Sequence, residues 1–168
     1  MSATTDCGIS ASPTELAYLA GVIDADGYVT ATQSTHAGRL YFGAQLGITG
    51  SDRAPHDLAA RVFGGNVSCH RPSRSLAHHR MQFHWQRAGT RATPIISAVL
   101  PYLRIKAERA RLVLDLQEQV DWIRLTRGDD DPFPWMSPGY DPTPLLISLV
   151  ENIRSHNSRA GSRKAVTA

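Results

Sequence analysis

The sequence is short of cysteine. Cys7 and Cys69 are the only two among its 168 residues, so neither a disulfide framework nor a Cys-x-x-Cys pair can be built. It also lacks any apolar run near the roughly 20 residues needed to span a bilayer. No basic segment leads into an apolar stretch at the N-terminus, so no secretory signal is expected. These absences predict an intracellular protein with no membrane partner, in the cytoplasm, nucleoid or an organelle. Acidic residues are missing where it matters most. None occurs between Asp57 and Glu108, an interval that carries Arg61, Arg71, Arg74, Arg80, Arg87, Arg91, Arg104, Lys106 and four of the seven histidines. Gly27 to Ser51 is also free of acids. The net charge is only +3, so the information is in the distribution. One-signed stretches of this kind suit a surface that lies against phosphates; a basic solvated face is the plainer alternative.

What is present is a chain of ordinary globular composition, long enough for one domain with a core of its own. Residues 1–12 are small and polar and are expected to form a flexible N-terminus. Ser12-Pro13-Thr14-Glu15 then combines an N-cap, a proline at the first helical position and the glutamate of a capping box. Leu16, Leu19, Ala20 and Ile23 follow at helical spacing, and Gly27 fits a stop, which predicts a helix over 13–25.

The period then falls from about 3.6 to 2. Val29 and Ala31 alternate with Thr30, Thr32 and Ser34; after a turn at 36–38, Phe42, Ala44, Leu46 and Ile48 alternate with Tyr41, Gly43, Gln45 and Gly47. A helix over 52–63 closes at Gly64-Gly65, and two more strands follow. In these, Val67 and Cys69, then Met81, Phe83 and Trp85, supply the expected apolar stripe, with a basic loop from Arg71 to His79 between them. Helices are expected over about 91–100, from Arg104 to near Arg127, and over 144–157, with a connector rich in Asp, Pro and Gly at 128–140. The domain therefore spans 13–157, and 158–168 reads as a disordered, mildly basic tail.

The order αββαββα with extra C-terminal helices implies an α+β fold: a four-stranded antiparallel sheet with helices on its apolar face. The other face holds Thr, Ser, Gln, Asn, Arg, His and Tyr, side chains able to read base edges in a major groove. Tyr28, Thr30, Thr32, Ser34, Tyr41, Gln45, Ser68, His70, Arg71, Arg74, Arg80, Gln82 and His84 are the candidate contacts to double-stranded DNA. A zinc site from Cys69, His70, His78, His79 and His84 has no standard spacing, and Trp122, Trp135 and Tyr140 read as packing residues.

Leu19-Ala20-Gly21-Val22-Ile23-Asp24-Ala25-Asp26-Gly27 sits at the end of the first helix. Asp26 falls at a helix C-terminus, where the macrodipole is already negative and a cation would be welcome; Mg²⁺ favours such carboxylate and carbonyl oxygens. Ala17, Ala20 and Gly21 leave a small surface, as close approach of two helices requires. This nonapeptide resembles the LAGLIDADG motif of homing endonucleases, with Val22 in place of Leu. Leu100 to Lys106 looks like the segment that precedes the family's long helix, and Ile48 to Asp52 and Phe63-Gly64-Gly65 fall where the family has a strand end and a helix end. The resemblance covers roughly residues 13–127.

That resemblance implies a site-specific endonuclease that hydrolyses both strands of a palindromic or near-palindromic DNA target with Mg²⁺ or Mn²⁺. One motif per chain implies a homodimer through the motif helices, with Ala17, Ala20, Gly21 and Asp24 at the interface. It makes Asp26 the catalytic metal-binding acid and the Ala25 carbonyl a further metal ligand. Asp24 becomes a capping or bracing residue, and Lys106 a catalytic cation near the phosphate. The family often has a Gln near the position of Gly50, which leaves that role to Gln82, His84 or Arg80. Such proteins are commonly intron-encoded. The alternatives are a non-cleaving binder on the same fold, an intron RNA maturase or DNA-binding regulator, and a fragment of a two-motif monomer.

Overall fold

A computed structural model describes residues 10–71, 80–126 and 141–161. The order is α1 (Pro13–Asp26), β1 (Gly27–His36), β2 (Arg39–Gly50), α2 (Ala54–Phe63), β3 (Val67–His70), β4 (Gln82–Ala88), α3 (Thr93–Val99), α4 (Ala107–Thr126) and α5 (Thr143–Gly161). Short 3₁₀ turns at Gly89–Arg91 and Leu100–Tyr102 flank α3. The expected α+β class and the four-stranded antiparallel sheet are both present, with strand order β1-β2-β4-β3.

Local chemistry explains the first half. Ser12 Oγ accepts the Glu15 N–H at 3.2 Å and the Ser12 N–H donates to Glu15 Oε2 at 2.9 Å, the reciprocal capping box that starts α1. Leu16, Leu19, Ala20 and Ile23 are the face that α1 buries. α1 passes into β1 with no loop. Gly27 is already extended, and its N–H donates back to the carbonyls of Val22 and Ile23. A Cβ at Gly27 would lie 2.7 Å from both the Gly47 carbonyl oxygen and Ile23 Cα, so glycine is what allows the helix end to touch β2. The β1–β2 hairpin turns through Ala37 (φ 49°) and Gly38 (φ 76°), the positive-φ pair of a two-residue turn whose twist matches the strands.

Val29, Ala31, Ala44, Leu46, Ile48 and Trp85 form the covered face of the sheet. They pack against Leu19 and Ile23 of α1, Ile96 and Val99 of α3, Val113 and Leu116 of α4, and Val150 and Ile153 of α5. The Trp85 indole donates to the Gly64 carbonyl at 2.9 Å and lies 5.9 Å from the Phe63 ring. This ties the end of α2 to the middle of the sheet.

Several expectations need correction. Cys69 is exposed, not core, and of the stripe Met81, Phe83 and Trp85 only Trp85 is buried, while Met81 is exposed and Phe83 half-buried. β3 is a four-residue edge strand against which α2 packs, and its alternation has little to pack against. Trp122, expected to pack, is 46% exposed. α4 begins at Ala107 rather than Arg104, because the N–H groups of residues 104–106 turn to the Asp24 carboxylate. α5 runs to Gly161, past the expected end at 157 and into the expected tail, while Ala11, in the expected flexible start, is buried. The basic loop with Arg74, the connector at 128–140 and residues 162–168 lie outside the described residues.

One core feature had no sequence signal. Gln117, 1% exposed in α4, accepts the Ala44 N–H at 2.8 Å and donates to Asp121 at 2.9 Å. A buried amide is stable only when its donors and acceptors are used, and here it holds the long helix on β2.

Candidate functional site

The C-terminus of α1 meets the N-terminal approach to α4. Two side chains cross the junction in opposite directions. The Asp24 carboxylate accepts the backbone N–H groups of Arg104 (2.6 Å), Ile105 (3.1 Å) and Lys106 (2.9 Å). These donors precede α4 and would otherwise be unsatisfied. The Lys106 ammonium donates to the carbonyl oxygens of Ile23 (2.6 Å), Asp24 (2.7 Å) and Gly27 (2.9 Å). Burial pushes the Lys106 pKa down and Arg109 adds to this, while Asp24 and Asp26 push it back up.

Asp26 lies just beyond this junction and is exposed. The Thr49 hydroxyl donates to its carbonyl at 3.3 Å. Of the five carbonyls from Ile23 to Gly27, four thus receive a side-chain donor, and that of Ala25 receives none among the described residues. An exposed carboxylate and an adjacent carbonyl with no side-chain donor among the described residues are what remain at the helix end. They are hard oxygen ligands of the kind Mg²⁺ takes, with waters or other oxygens completing its shell. No group of three or more His, Cys, Asp or Glu able to hold a metal occurs among the described residues.

The polar face of the sheet starts beside Asp26. Tyr28, Thr30 and Thr32 of β1 pair with Gly47, Gln45 and Gly43 of β2; Gln45, Gly47 and Thr49 pair in turn with Ala88, Gln86 and His84 of β4, and His84 pairs with Ser68 of β3. Its centre is a connected cluster. The Tyr28 hydroxyl is 3.0 Å from His84 Nε2 and from Gln86 Oε1, and Gln45 Nε2 donates to the same Gln86 oxygen at 2.8 Å. A Cβ at Gly47 would lie 2.5 Å from the Tyr28 hydroxyl, so Gly47 is the seat of that ring. Burial lowers the His84 pKa, and the neighbouring His56 and His70 lower it further; burial raises that of Tyr28.

The remaining expected contacts are more dispersed. Ser34, Tyr41, Ser68, His70, Arg71 and Arg80 are exposed, while Gln82 is half-buried. Thr32 donates to the Gly43 carbonyl at 3.1 Å and Ser68 to the His84 carbonyl at 3.2 Å, so both hydroxyl protons serve the sheet itself. Gln86 and Thr49 belong to the polar face but were not singled out from the sequence. Gln86 continues the alternation of Gln82 and His84 and was legible there; Thr49 reaches the site only because β1 and β2 are in this register. At Gly50 an added Cβ would make ordinary contact with His56, at 3.7 Å, so the backbone there does not demand glycine.

On α1, Ala17, Tyr18, Gly21 and Ala25 form the exposed stripe. Of the four residues expected at a dimer interface, Ala17 and Gly21 lie on it. Ala20 is fully buried in the core of its own chain, and Asp24 turns its carboxylate toward α4.

The architecture is that of homing endonucleases bound to DNA in solved structures. I-CvuI in complex with its target matches with a TM-score of 0.57 and 21% identity, over 85% of this chain and 82% of that one. The archaeal intron-encoded I-Vdi141I complexed with DNA gives 0.51 and 10%, over 86% and 97%. More narrowly, the fold is the LAGLIDADG fold: the LAGLIDADG homing endonuclease I-GzeII, in complex with its DNA target, gives 0.56 and 12%, over 83% of this chain and 43% of that one. At these identities the likeness shows the fold. No family model and no curated protein matches the chain.

Proposed function

We propose that this chain is a single-motif LAGLIDADG homing endonuclease, which cuts both strands of double-stranded DNA as a homodimer. The observation that carries the reading is the exposed Asp26 carboxylate beside the Ala25 carbonyl, which has no side-chain donor among the described residues, at the edge of a polar sheet that bears no acid. Asp26 and the Ala25 carbonyl would hold Mg²⁺ or Mn²⁺. When bound, such an ion polarises water and phosphate and so supplies the chemistry of phosphodiester hydrolysis.

The chain's own residues do the rest. The cluster of Tyr28, His84, Gln86 and Gln45 presents fixed donors and acceptors toward a groove. Thr30, Ser34, Tyr41, Ser68, His70 and Gln82 extend that surface, and Arg71, Arg74 and Arg80 supply positive charge for phosphates. The stripe of Ala17, Gly21 and Ala25 permits two motif helices to approach, which would bring two Asp26 carboxylates together, one for each strand. That symmetry matches a palindromic or near-palindromic target.

The test is cleavage of a randomised pool of DNA duplexes in Mg²⁺, with Asp26→Asn as control. The expected result is double-strand cutting at one near-palindromic site, lost in D26N while DNA binding persists. Specific binding without cutting by the unaltered chain would instead identify a non-cleaving binder, and retained cutting by D26N would remove Asp26 from the site.

A further inference from the structure

We infer that Gln86 is a specificity-determining residue for DNA, held by Tyr28 and Gln45 as a donor-only group that selects guanine and rejects adenine. The inference rests on the reading above in taking the polar face of the sheet as the one that meets DNA, and not on cleavage. A free glutamine amide has the opposite preference. It offers an acceptor and a donor side by side, which match N6 and N7 of adenine in the major groove.

Gln86 is not free. A carbonyl oxygen has two lone pairs. The Gln86 oxygen accepts the Tyr28 hydroxyl at 3.0 Å and the Gln45 amide at 2.8 Å. Both lone pairs are thus spent within the sheet, and Gln86 is left with the two N–H donors of its NH₂ group. It is also the exposed member of the cluster, while Tyr28, Gln45 and His84 are half-buried. Guanine offers two neighbouring acceptors, N7 and O6, to such a group. Adenine sets its N6 donor against it, and cytosine its N4 donor.

The direction of the network follows from counting hydrogens. A phenol has one O–H. Tyr28 gives it to Gln86, yet its oxygen also lies 3.0 Å from His84 Nε2. That contact is a hydrogen bond only if Nε2 carries the hydrogen. Donation therefore runs from His84 to Tyr28 to Gln86. In the reverse direction Tyr28 would donate to a bare Nε2, and Gln86 would turn its NH₂ inward and its carbonyl to the groove. The two directions present opposite groups to a base.

Tyr28 reaches Gln86 across β2 because Gly47, which pairs with both, has no side chain. The His84 ring stacks on the Tyr28 ring with centroids 6.1 Å apart. The hydroxyl is thereby fixed before any DNA arrives, and the amide it holds has no freedom to flip toward adenine.

The experiment sequences the duplexes that the full-length wild type, Gln86→Glu and Tyr28→Phe bind from a randomised pool, without added divalent metal. Nitrogen-15 NMR of the free protein shows which His84 nitrogen carries hydrogen. The wild type should prefer guanine to adenine about 5-fold or more at one base position, or at two symmetric ones, the size of a single bidentate contact. Gln86→Glu keeps an oxygen for Tyr28 and Gln45 but turns the outward donors into an acceptor. The same position should then shift to cytosine, whose N4 donates. Tyr28→Phe keeps the ring on Gly47 and frees one lone pair of Gln86, so guanine and adenine should approach parity there. His84 should be the Nε2–H tautomer. A wild-type preference for adenine at the position that Gln86→Glu alters would overturn the inference. So would a Tyr28→Phe pool identical to that of the wild type, or a His84 with its hydrogen on Nδ1 alone. No sequence-specific binding by the wild type would overturn it together with the DNA reading. The expected base preferences in a chain that binds but does not cut would uphold it while the endonuclease reading falls.

Discussion

Replacing Gly21 by alanine separates a lone chain from a dimer. Gly21 lies in the middle of α1 on its exposed stripe, and a Cβ built there meets nothing within 4 Å in the single chain. Within a helix, glycine is less favourable than alanine by about 0.8–1.0 kcal/mol. In the isolated chain, G21A should therefore be stabilising, raising the melting temperature by about 2–4 °C for a protein of this size. If two motif helices pack along Ala17, Gly21 and Ala25, each copy brings a new methyl group into a close contact. Overpacking of that kind costs about 1–3 kcal/mol, which weakens association roughly 5- to 150-fold. Sedimentation over a range of concentrations reads the association, melting of dilute protein reads the chain, and a plasmid substrate distinguishes nicks from double-strand cuts. The expected result is a weaker dimer and fewer double-strand cuts. A variant that melts higher, associates as before and cuts as before would refute the packing of α1 against its copy.

At Gly27 the same substitution acts inside the chain. A Cβ 2.7 Å from the Gly47 carbonyl and from Ile23 Cα must push α1 away from β2, so G27A should lose about 1–3 kcal/mol, read as a lower denaturation midpoint; an unchanged midpoint would show that the junction yields freely. The depressed pKa of His84 makes a stability contribution that is complete above its ordinary value of about 6.5 and is lost as the pH falls through the lower folded value. Melting of the wild type should then fall more steeply below pH 6.5 than that of His84→Gln, and parallel curves would contradict the assigned cause. DNA affinity should drop steeply with salt if arginines and lysines meet phosphates across the sheet, and a flat titration would remove the charge argument.

Several parts of this architecture can be read without coordinates because their causes are local. The capping box at Ser12 and Glu15 starts α1, the change of period at Gly27 turns a helix into a strand, and the alternation of Val29, Ala31, Ala44, Leu46 and Ile48 assigns the buried face. Each depends on neighbours within a few residues, so sequence spacing alone specifies it. The same holds for the nonapeptide from Leu19 to Gly27, whose letters identified the fold before any packing was known.

Tertiary structure decided what distant residues do to one another. Lys106 and Asp24 are 82 positions apart, and only the meeting of α1 with the approach to α4 makes the lysine a donor to three carbonyls. Ala20 has the small side chain of an interface residue, yet the rotation of α1 on its sheet buries it in the core, while Gly21 beside it faces out. Cys69 alternates as a core residue should, but the edge strand β3 has too little above it to cover it, while Met81 falls just outside β4. Gln117 gives no signal along the chain, because its partner is the Ala44 amide on a strand that only folding brings near. Spacing determines which face a side chain takes on its own element; what that face meets depends on the angle and separation of elements far apart in the chain, and no local pattern encodes those.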